Sequence, residues 1–434
     1  MRSRKNTLPH RFIIFGRYPV PGRTKTRLIQ ALGPTGAADL HRRLTEKTVE
    51  KVKEIGSRRS IDVEFCFEGG SEGKARRWLG SSMIYSQQES GDLGERMYLA
   101  FRKVFYRGCR RVVLLGTDIP QLRTELLEEA LDALMEYDLV IGPSSDGGYW
   151  LMGLNRPFNL FQGLNWGSRT VLEQTISLAK RHDLMVHRLE TLTDIDTVED
   201  LKQWQPDEMN RKPYLSIIIP ALNEGFNIQT TILSAHHEDA EIIVIDGGSI
   251  DNTVTQAMDA GARVETSPRG RVIQQNRGAM LALGRVILFL HGDTLLPTHY
   301  MTHIFEALMD PKTVAGSFRF KTDLDHPLMK IIECLTNFRS QILKMPYGDQ
   351  GLFVRRSVFE CLGGFPEVSL AEDLFFVRLL SKRGRIRIVP FKAITSGRRW
   401  RELGVLRTTL INQVIVACCY LGISSKALAR LYSP

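Results

Sequence analysis

Short apolar runs alternate along this chain with longer segments whose apolar positions recur at helical spacing. In the first half, Arg11–Phe15, Ile61–Phe67, Val112–Gly116, Leu139–Gly142 and Tyr149–Gly153 predict strands. The patterns around Ala37–Ile55, Leu93–Tyr106, Thr124–Glu136 and Thr170–Arg181 predict the helices between them. The second half repeats the rhythm. Strands are expected at Leu215–Pro220, Glu241–Asp246, Arg263–Glu265 and Val286–His291, and helices near Asn227–His237, Asn252–Ala260 and Val272–Leu283. Such alternation predicts an α/β protein with mostly parallel sheets and helices on both faces. Gln203–Pro213, polar and carrying two prolines, interrupts the rhythm and marks a boundary. The expected division is therefore 1–205, a linker at 206–213, a second domain at 214–397, and a basic and apolar helical extension at 398–434.

Composition narrows the class. The 434 residues are 43% hydrophobic and 24% charged, which is ordinary for a globular protein of two or three domains. Six cysteines without CxxC or His-paired spacing read as reduced thiols, and MRSRKNTLPHR lacks the apolar stretch of a secretory signal. Both point to a cytoplasmic protein. The net charge of +10 is concentrated at one end: Arg378–Pro434 holds twelve lysines and arginines against one acid, Glu402, leaving the rest near neutral. A protein that coats nucleic acid would spread its basic residues over a binding face, so no nucleic-acid partner is expected. Beside that basic tail runs the apolar stretch Ile411–Ile423, too short and too interrupted by Asn412 and Gln413 to span a bilayer. It suits either a peripheral contact with the inner face of a membrane or a buried terminal helix with a solvated basic flank.

Each half carries an apolar strand ending on aspartate, VVLLGTD at Val112–Asp118 and VILFLHGD at Val286–Asp293. A carboxylate at the C-terminal edge of a parallel strand sits where open α/β sheets bind ligands, and it can hold a hard cation against a diphosphate. In the second half, Pro220, Asn223 and Glu224 close the strand IIIPALNE, where the polar pair can hydrogen-bond a base or ribose. Asp246 ends EIIVIDGGSIDN, and Gly247 and Gly248 permit a tight turn that brings backbone near a ligand. His291 and Asp293 in ILFLHGDT are a candidate metal-binding pair. YGDQ at Tyr347–Gln350 and AEDL at Ala371–Leu374 follow, then TSGRRW at Thr395–Trp400.

In this order the pieces resemble family 2 glycosyltransferases of the GT-A fold, over roughly Leu215 to Pro390. The resemblance implies that Pro220, Asn223, Glu224, Asp246 and Gly247 line the pocket of a nucleotide-diphosphate sugar donor. It also implies that Asp293 holds Mg²⁺ or Mn²⁺ on the diphosphate, and that Asp373 of the Glu372–Asp373 pair is the general base for the acceptor. His291 stands where the family usually has the first acid of a DxD motif. Alone, Glu372–Asp373 would equally suit a helix N-terminal cap. Arg399 and Trp400 can grip a diphosphate or stack on an acceptor, and processive polysaccharide synthases of the superfamily carry a similar RW element. A bacterial subgroup associated with arsenosugar biosynthesis shares the HxDT, GDQ and RRW features, and carotenoid-acid glycosyltransferases are also similar. The acceptor, small molecule or lipid, stays open.

The first half offers FGRYPVPGRTKTRL at Phe15–Leu28, a basic loop in which Gly16, Arg17, Arg23, Lys25 and Arg27 can clamp phosphates. It does not match the Walker pattern GxxxxGK[ST]. With GTDIP, SDGGY and TDIDTVED it resembles nucleotidyltransferases of the molybdenum-cofactor and phospholactate type, and bacterial GT-A-like glycosyltransferases. That implies a metal on Asp118 and Asp196 and a substrate pocket shaped by Asp146. The first loop departs from the family's LxAGxGxRxGxxK. The expectation for the whole chain is two tandem Rossmann-like GT-A domains. The second is a glycosyltransferase; the first either makes the activated precursor or serves as a binding module.

Overall fold

The computed structural model describes residues 10–204, 212–368 and 371–420, with side chains as far as residue 414. Most of the expected linker, the end of the Ile411–Ile423 run and the last residues of the basic tail lie outside the described residues. The chain divides into two compact units, Met1–Arg211 and Lys212–Pro434. Each is an α/β unit built on one mixed sheet.

Unit one holds β1 (His10–Arg17), β2 (Asp62–Glu68), β3 (Ile84–Gln87), β4 (Arg111–Leu115), β5 (Leu139–Pro143), β6 (Tyr149–Leu154) and β7 (Val186–Arg188). Their order across the sheet is β3-β2-β1-β4-β6-β5-β7. β1 is central because Phe12, Ile13 and Ile14 are apolar on both faces and fully buried. Parallel pairing of β1 with β2 and β4 brings the ends of these strands to one edge. β6 inserts antiparallel between β4 and β5. The buried Arg11 is held by Glu64 at 2.9 Å and Asp62 at 3.1 Å. The first helix runs Ile29–Arg59, longer than Ala37–Ile55, and kinks at Gly33–Pro34 where Gly33 has φ 71°.

Unit two holds β8 (Leu215–Ala221), β9 (Ala240–Asp246), β10 (Arg263–Thr266), β11 (Val286–Phe289), β12 (Thr294–Leu295), β13 (Thr313–Thr322), β14 (Leu352–Arg355) and β15 (Arg385–Thr395). The order is β10-β9-β8-β11-β14-β13-β15-β12. Parallel register sets Ala221 beside Asp246 and Phe289 beside Ile218. The segments that follow β8, β9 and β11 therefore emerge at a common edge, the position at which such sheets bind ligands.

The sheets depart from the mostly parallel expectation at β6, β14 and β12, each antiparallel to its neighbours. β11 ends at Phe289, so His291 lies in the loop and not in the strand. β3, β7, β12 and β13 are absent from the expected strands. β3, β7 and β12 are too short to show a period, and β13 mixes glycine, serine and charge with its apolar positions. The extension consists of helices Arg398–Leu403 and Val405–Tyr420 among the described residues.

Helix Arg271–Leu281 packs on β8 through Gly278, where an added Cβ would fall on Ile218 Cγ2 and within 3.1 Å of Ile245 Cγ1. Alanine is worth about 1 kcal/mol more than glycine in a helix interior, but overpacking a fixed, β-branched neighbour costs about 1–3 kcal/mol. Gly278→Ala should therefore lower unfolding free energy by about 1 kcal/mol in urea titration, the opposite sign from propensity alone.

Candidate functional site

Unit one opens at its strand ends into a cleft of ≈ 510 Å³, lined among others by Gly16, Arg17, Lys25, His41, Arg96, Asp118, Asp146, Trp166, Asp194 and Asp196. Lys25 has left-handed backbone, φ 50°, and a buried side chain. Its Nζ lies 3.0 Å from Asp118 Oδ1 and 2.9 Å from Asp196 Oδ1, and it also donates to the Ile195 carbonyl. Burial opposes the charge on Lys25, but the two carboxylates outweigh it and raise its pKa. Asp118 is half-buried, which opposes its charge, yet Lys25 and the His41 ring hold its carboxyl well below the usual range. His41 is in turn oriented by the Arg17 carbonyl, 3.0 Å from its Nε2.

The ammonium of Lys25 thus sits between Asp118 and Asp196, the two residues expected to hold a metal. Arg27 is exposed and does not line the cleft, because Lys25's turn sends it outward. Arg17 and Arg96 face the cleft and meet at Glu68 Oε2, 2.8 and 3.3 Å away. Asp146 Oδ1 accepts from Gly148 N at 2.9 Å and shapes the turn at the cleft wall. Asp200 caps the helix Val198–Trp204 by accepting from Thr197 N at 2.7 Å.

In unit two the loops after β8 and β9 are tied to each other. Asn223, at φ 56°, donates its N–H to Ser249 Oγ at 2.8 Å and accepts from Ile250 N at 2.9 Å. Asp246, buried, accepts from Gly248 N at 2.9 Å and Ser249 N at 3.0 Å. Asp246 thus holds the Gly247–Ser249 turn. Gln274, missed in the sequence, donates from buried Nε2 to Ala221 O and Ile245 O and locks the two strand ends at 2.9 and 2.8 Å. Pro220 pairs with Ile245 in the same register. Phe226, almost wholly exposed, stands beside this turn as an apolar surface.

Glu224 packs on Gly292 and accepts from Arg398 Nη2 at 3.0 Å. The structure therefore brings Arg398 of the RRW element onto this pair of loops. Trp400 packs on Phe320 with ring centroids 6.1 Å apart, and its Nε1 is buried without a partner.

The acids gather next. Burial and the Glu224 charge raise the pKa of Asp293. Burial pushes Asp349 up to about 6, with Asp293 adding to the effect. Burial and the Glu372 charge push Asp373 up to about 7, and Asp349 adds to that. Asp373 Oδ2 accepts from Gly348 N at 3.1 Å, while its Oδ1 is buried and unpartnered, as is Asp349 Oδ1. Arg271, 3.4 Å from Glu372, is the guanidinium that this cluster shares. Neither Arg271 nor Asp349 was a sequence-derived site residue; for Asp349 the signal was available in the YGDQ motif.

His291 lies in the loop after β11. Its Nε2 is shielded and unpartnered, within 2.8 Å of where a Cβ on Gly348 would stand, so the ring addresses Gly348. Burial and the Arg271 charge lower its pKa to about 3, which keeps the imidazole neutral. Among the described residues no three His, Cys, Asp or Glu side chains converge as a metal centre. Asp293, with a carboxyl crowded by Glu224, could take a cation completed by ligand oxygens.

Residues 216–363 match the family model described as Glycosyl transferase family 2, and residues 51–168 match "Uncharacterized protein conserved in bacteria (DUF2064)". Glycosyltransferase AglE of Haloferax volcanii is 25% identical over 171 residues, 36% of this chain and 56% of that protein. The chain thus spans little more than half of that relative. A structure described as a putative nucleotide-diphospho-sugar transferase from Desulfovibrio desulfuricans is 36% identical, with a TM-score of 0.42, covering 46% of this chain and 87% of its own. Glucosyl-3-phosphoglycerate synthase from Mycobacterium tuberculosis, in complex with Mn²⁺, UDP and glucosyl-3-phosphoglycerate, is 20% identical with a TM-score of 0.35, covering 51% of this chain and 84% of its own.

The Lys25 triad carries a test. Asp118→Asn combined with Asp196→Asn strands a buried ammonium, and should cost about 3 kcal/mol at neutral pH, the low end for such losses because both carboxylates are partly solvated. In the unmodified protein the raised pKa of Lys25 gives stability that is complete below about pH 10 and lost as the ammonium titrates. Denaturant midpoints of the two proteins should therefore converge on approaching alkaline pH.

Proposed function

We propose that this chain, whose second unit carries a Glycosyl transferase family 2 domain, transfers a sugar from a nucleoside-diphosphate donor to an acceptor hydroxyl. The observation that carries the reading is Asp373: a buried carboxyl with a pKa near 7 and a free Oδ1, beside the acids at the sheet edge. A general base needs a pKa near the working pH, and the surroundings of Asp373 supply it.

The donor's base and ribose would lie against the Asn223–Gly225 and Gly247–Ile250 loops, with Arg398 and Arg399 near the diphosphate. Asp293 would hold Mg²⁺ or Mn²⁺, which neutralises charge on the leaving diphosphate when bound. Asp373 Oδ1 takes the acceptor proton as the hydroxyl attacks the anomeric carbon. Gly348 N fixes the other oxygen, and Glu372 and Asp349 keep the proton affinity high. Glu372 is a positioning residue, engaged by Arg271.

For unit one we favour a phosphate-binding module over a metal-dependent nucleotidyltransferase, because Lys25 neutralises the two carboxylates that such a reaction would need for its metal. Arg17, Arg96 and Lys25 remain to meet an anionic ligand in the cleft.

A thermal-shift screen over UDP-, GDP-, dTDP- and CDP-sugars with Mn²⁺ should reveal one donor class. With that donor, Asp293→Ala should lose turnover by at least ~10²-fold, and Asp118→Ala should retain it. Equal loss in both, or pyrophosphate release from NTP and sugar phosphate that depends on Asp118, would replace this assignment with a catalytic unit one.

Asp373 predicts a pH profile of two opposite signs. Turnover should rise as pH passes about 7, and Asp373→Asn should lower it by about 10²–10⁴-fold. Because the folded state binds this proton more tightly than the unfolded chain, the group costs stability as pH rises from about 4 to about 7. Asp373→Asn should melt higher than the parent at about pH 8, while losing its activity.

A further inference from the structure

Helix Pro327–Leu343 is turned inside out relative to an ordinary surface helix. Beside the buried Met329, several of its inward positions are polar and hydrogen-bonded to the neighbouring backbone and side chains. Glu333 Oε1 accepts from Thr322 N at 2.8 Å and Thr322 Oγ1 at 3.0 Å. Asn337 accepts from Phe320 N at 2.8 Å and donates to Phe320 O at 2.9 Å, and Ser340 Oγ donates to Gln350 Oε1 at 2.9 Å. β13 needs these partners because its pairing with β14 covers only Ala315–Ser317, leaving the rest of that edge open. The outward positions are apolar at spacings of four, three and four: Ile331 is 56% exposed, Leu335 63%, Phe338 63% and Ile342 62%, with Leu343 at 60% beside them.

A second apolar stripe lies on helix Val405–Tyr420, where Leu406, Leu410 and Val414 are exposed. The two helices share a neighbourhood, since Met345, just past the first helix, and Ile411 of the second both pack on Leu374. Leu374 follows Asp373 directly. The apolar surface therefore borders the carboxylate that faces the acceptor.

We propose that this surface docks unit two on an anionic lipid bilayer, and that the acceptor hydroxyl is presented from the lipid phase. Charge selects the occupant. The exposed charged side chains on the first helix and just past it are Lys330 and Lys344; of the acids before it, Asp325 pairs with Lys330 at 3.0 Å and Asp323 with Arg401 at 2.8 Å. Arg407 is exposed on the second helix, and from Val405 to Pro434 the chain has three basic residues and no acid. Apolar stripes flanked by cations are the chemistry of an interfacial helix on anionic headgroups. A two-fold pairing with a second copy would instead oppose like charges across the same face. Among the described residues no helix is long and apolar enough to cross a membrane, so the mode is docking on the surface. The docking stands on the helices alone; its extension to the acceptor rests on the glycosyltransferase reading of unit two.

The test is flotation of the full chain with phosphatidylcholine vesicles, neutral or containing about 20% phosphatidylglycerol, at low and high salt. The wild type should float with the anionic vesicles, less so at high salt. Leu335→Glu combined with Phe338→Glu, both solvent-facing, should lower partition about ten-fold or more while leaving donor hydrolysis in solution and the melting temperature unchanged. Equal flotation of the variant would overturn the proposal. So would a soluble wild-type dimer that this variant renders monomeric, or flotation that depends only on Lys426 and Arg430. Absent donor hydrolysis in the wild type would count against the glycosyltransferase reading and leave the docking result standing.

Discussion

Asp293, Asp349, Glu372 and Asp373 crowd one edge of the second sheet around the Arg271 guanidinium, and the rest of unit two is arranged to tolerate that crowding. Burying carboxylates costs free energy unless each finds a donor or a proton. Here Gly348 N supplies one donor and Arg271 one ion pair, and the remaining demand is met by protons held at higher pH than usual. Gly348 must be glycine for this to work, since a side chain there would collide with Asp373 and His291. The neutral imidazole of His291 follows from the same constraint: a second cation beside Arg271, buried and without a carboxylate partner, would be unfavourable.

The two units resolve a similar problem in opposite ways. In unit one the acids at the strand ends are neutralised from within by Lys25, and Asp118 stays ionised at far lower pH than usual. In unit two the acids are left short of cations, and their pKa values rise. An acid already paired is poor at taking a proton or recruiting a metal, whereas an acid held near neutrality is suited to proton transfer. The two sheets therefore hold their acids in opposite charge states, and in unit one the difference lies in one lysine on a left-handed turn.

Much of this architecture was legible from pattern alone. Strands such as Leu215–Ala221 and Val112–Leu115 are buried on both faces, so they read as continuous apolar runs bounded by turn residues. β15 and β13 were not legible as strands of this sheet in that way, because Arg385–Thr395 interleaves charge with apolar positions and β13 carries glycine and serine inside its run. At the site, Asp293 and Asp373 were identifiable by their place after a strand and before a helix. Arg271 was not, since its role depends on a helix start being folded against Glu372, 101 residues away. Lys25 was read as a phosphate ligand from the basic loop, but no sequence spacing tells that its ammonium reaches across to Asp118 and Asp196.

The inverted helix Pro327–Leu343 follows from a local need rather than from amphipathic design. β13 outruns β14, so donors and acceptors of Phe320 and Thr322 face away from the sheet's next strand. Unpaired backbone in a buried setting is costly enough that polar side chains must be turned toward it. Glu333 and Asn337 are spent on that task, and apolar residues on the same helix have only the outward face left. A sequence scan for hydrophobic periodicity would count those leucines and isoleucines as core and assign the helix the wrong face. Periodicity alone says which residues share a side; the hydrogen-bond requirements of the neighbouring strand decide which side is in.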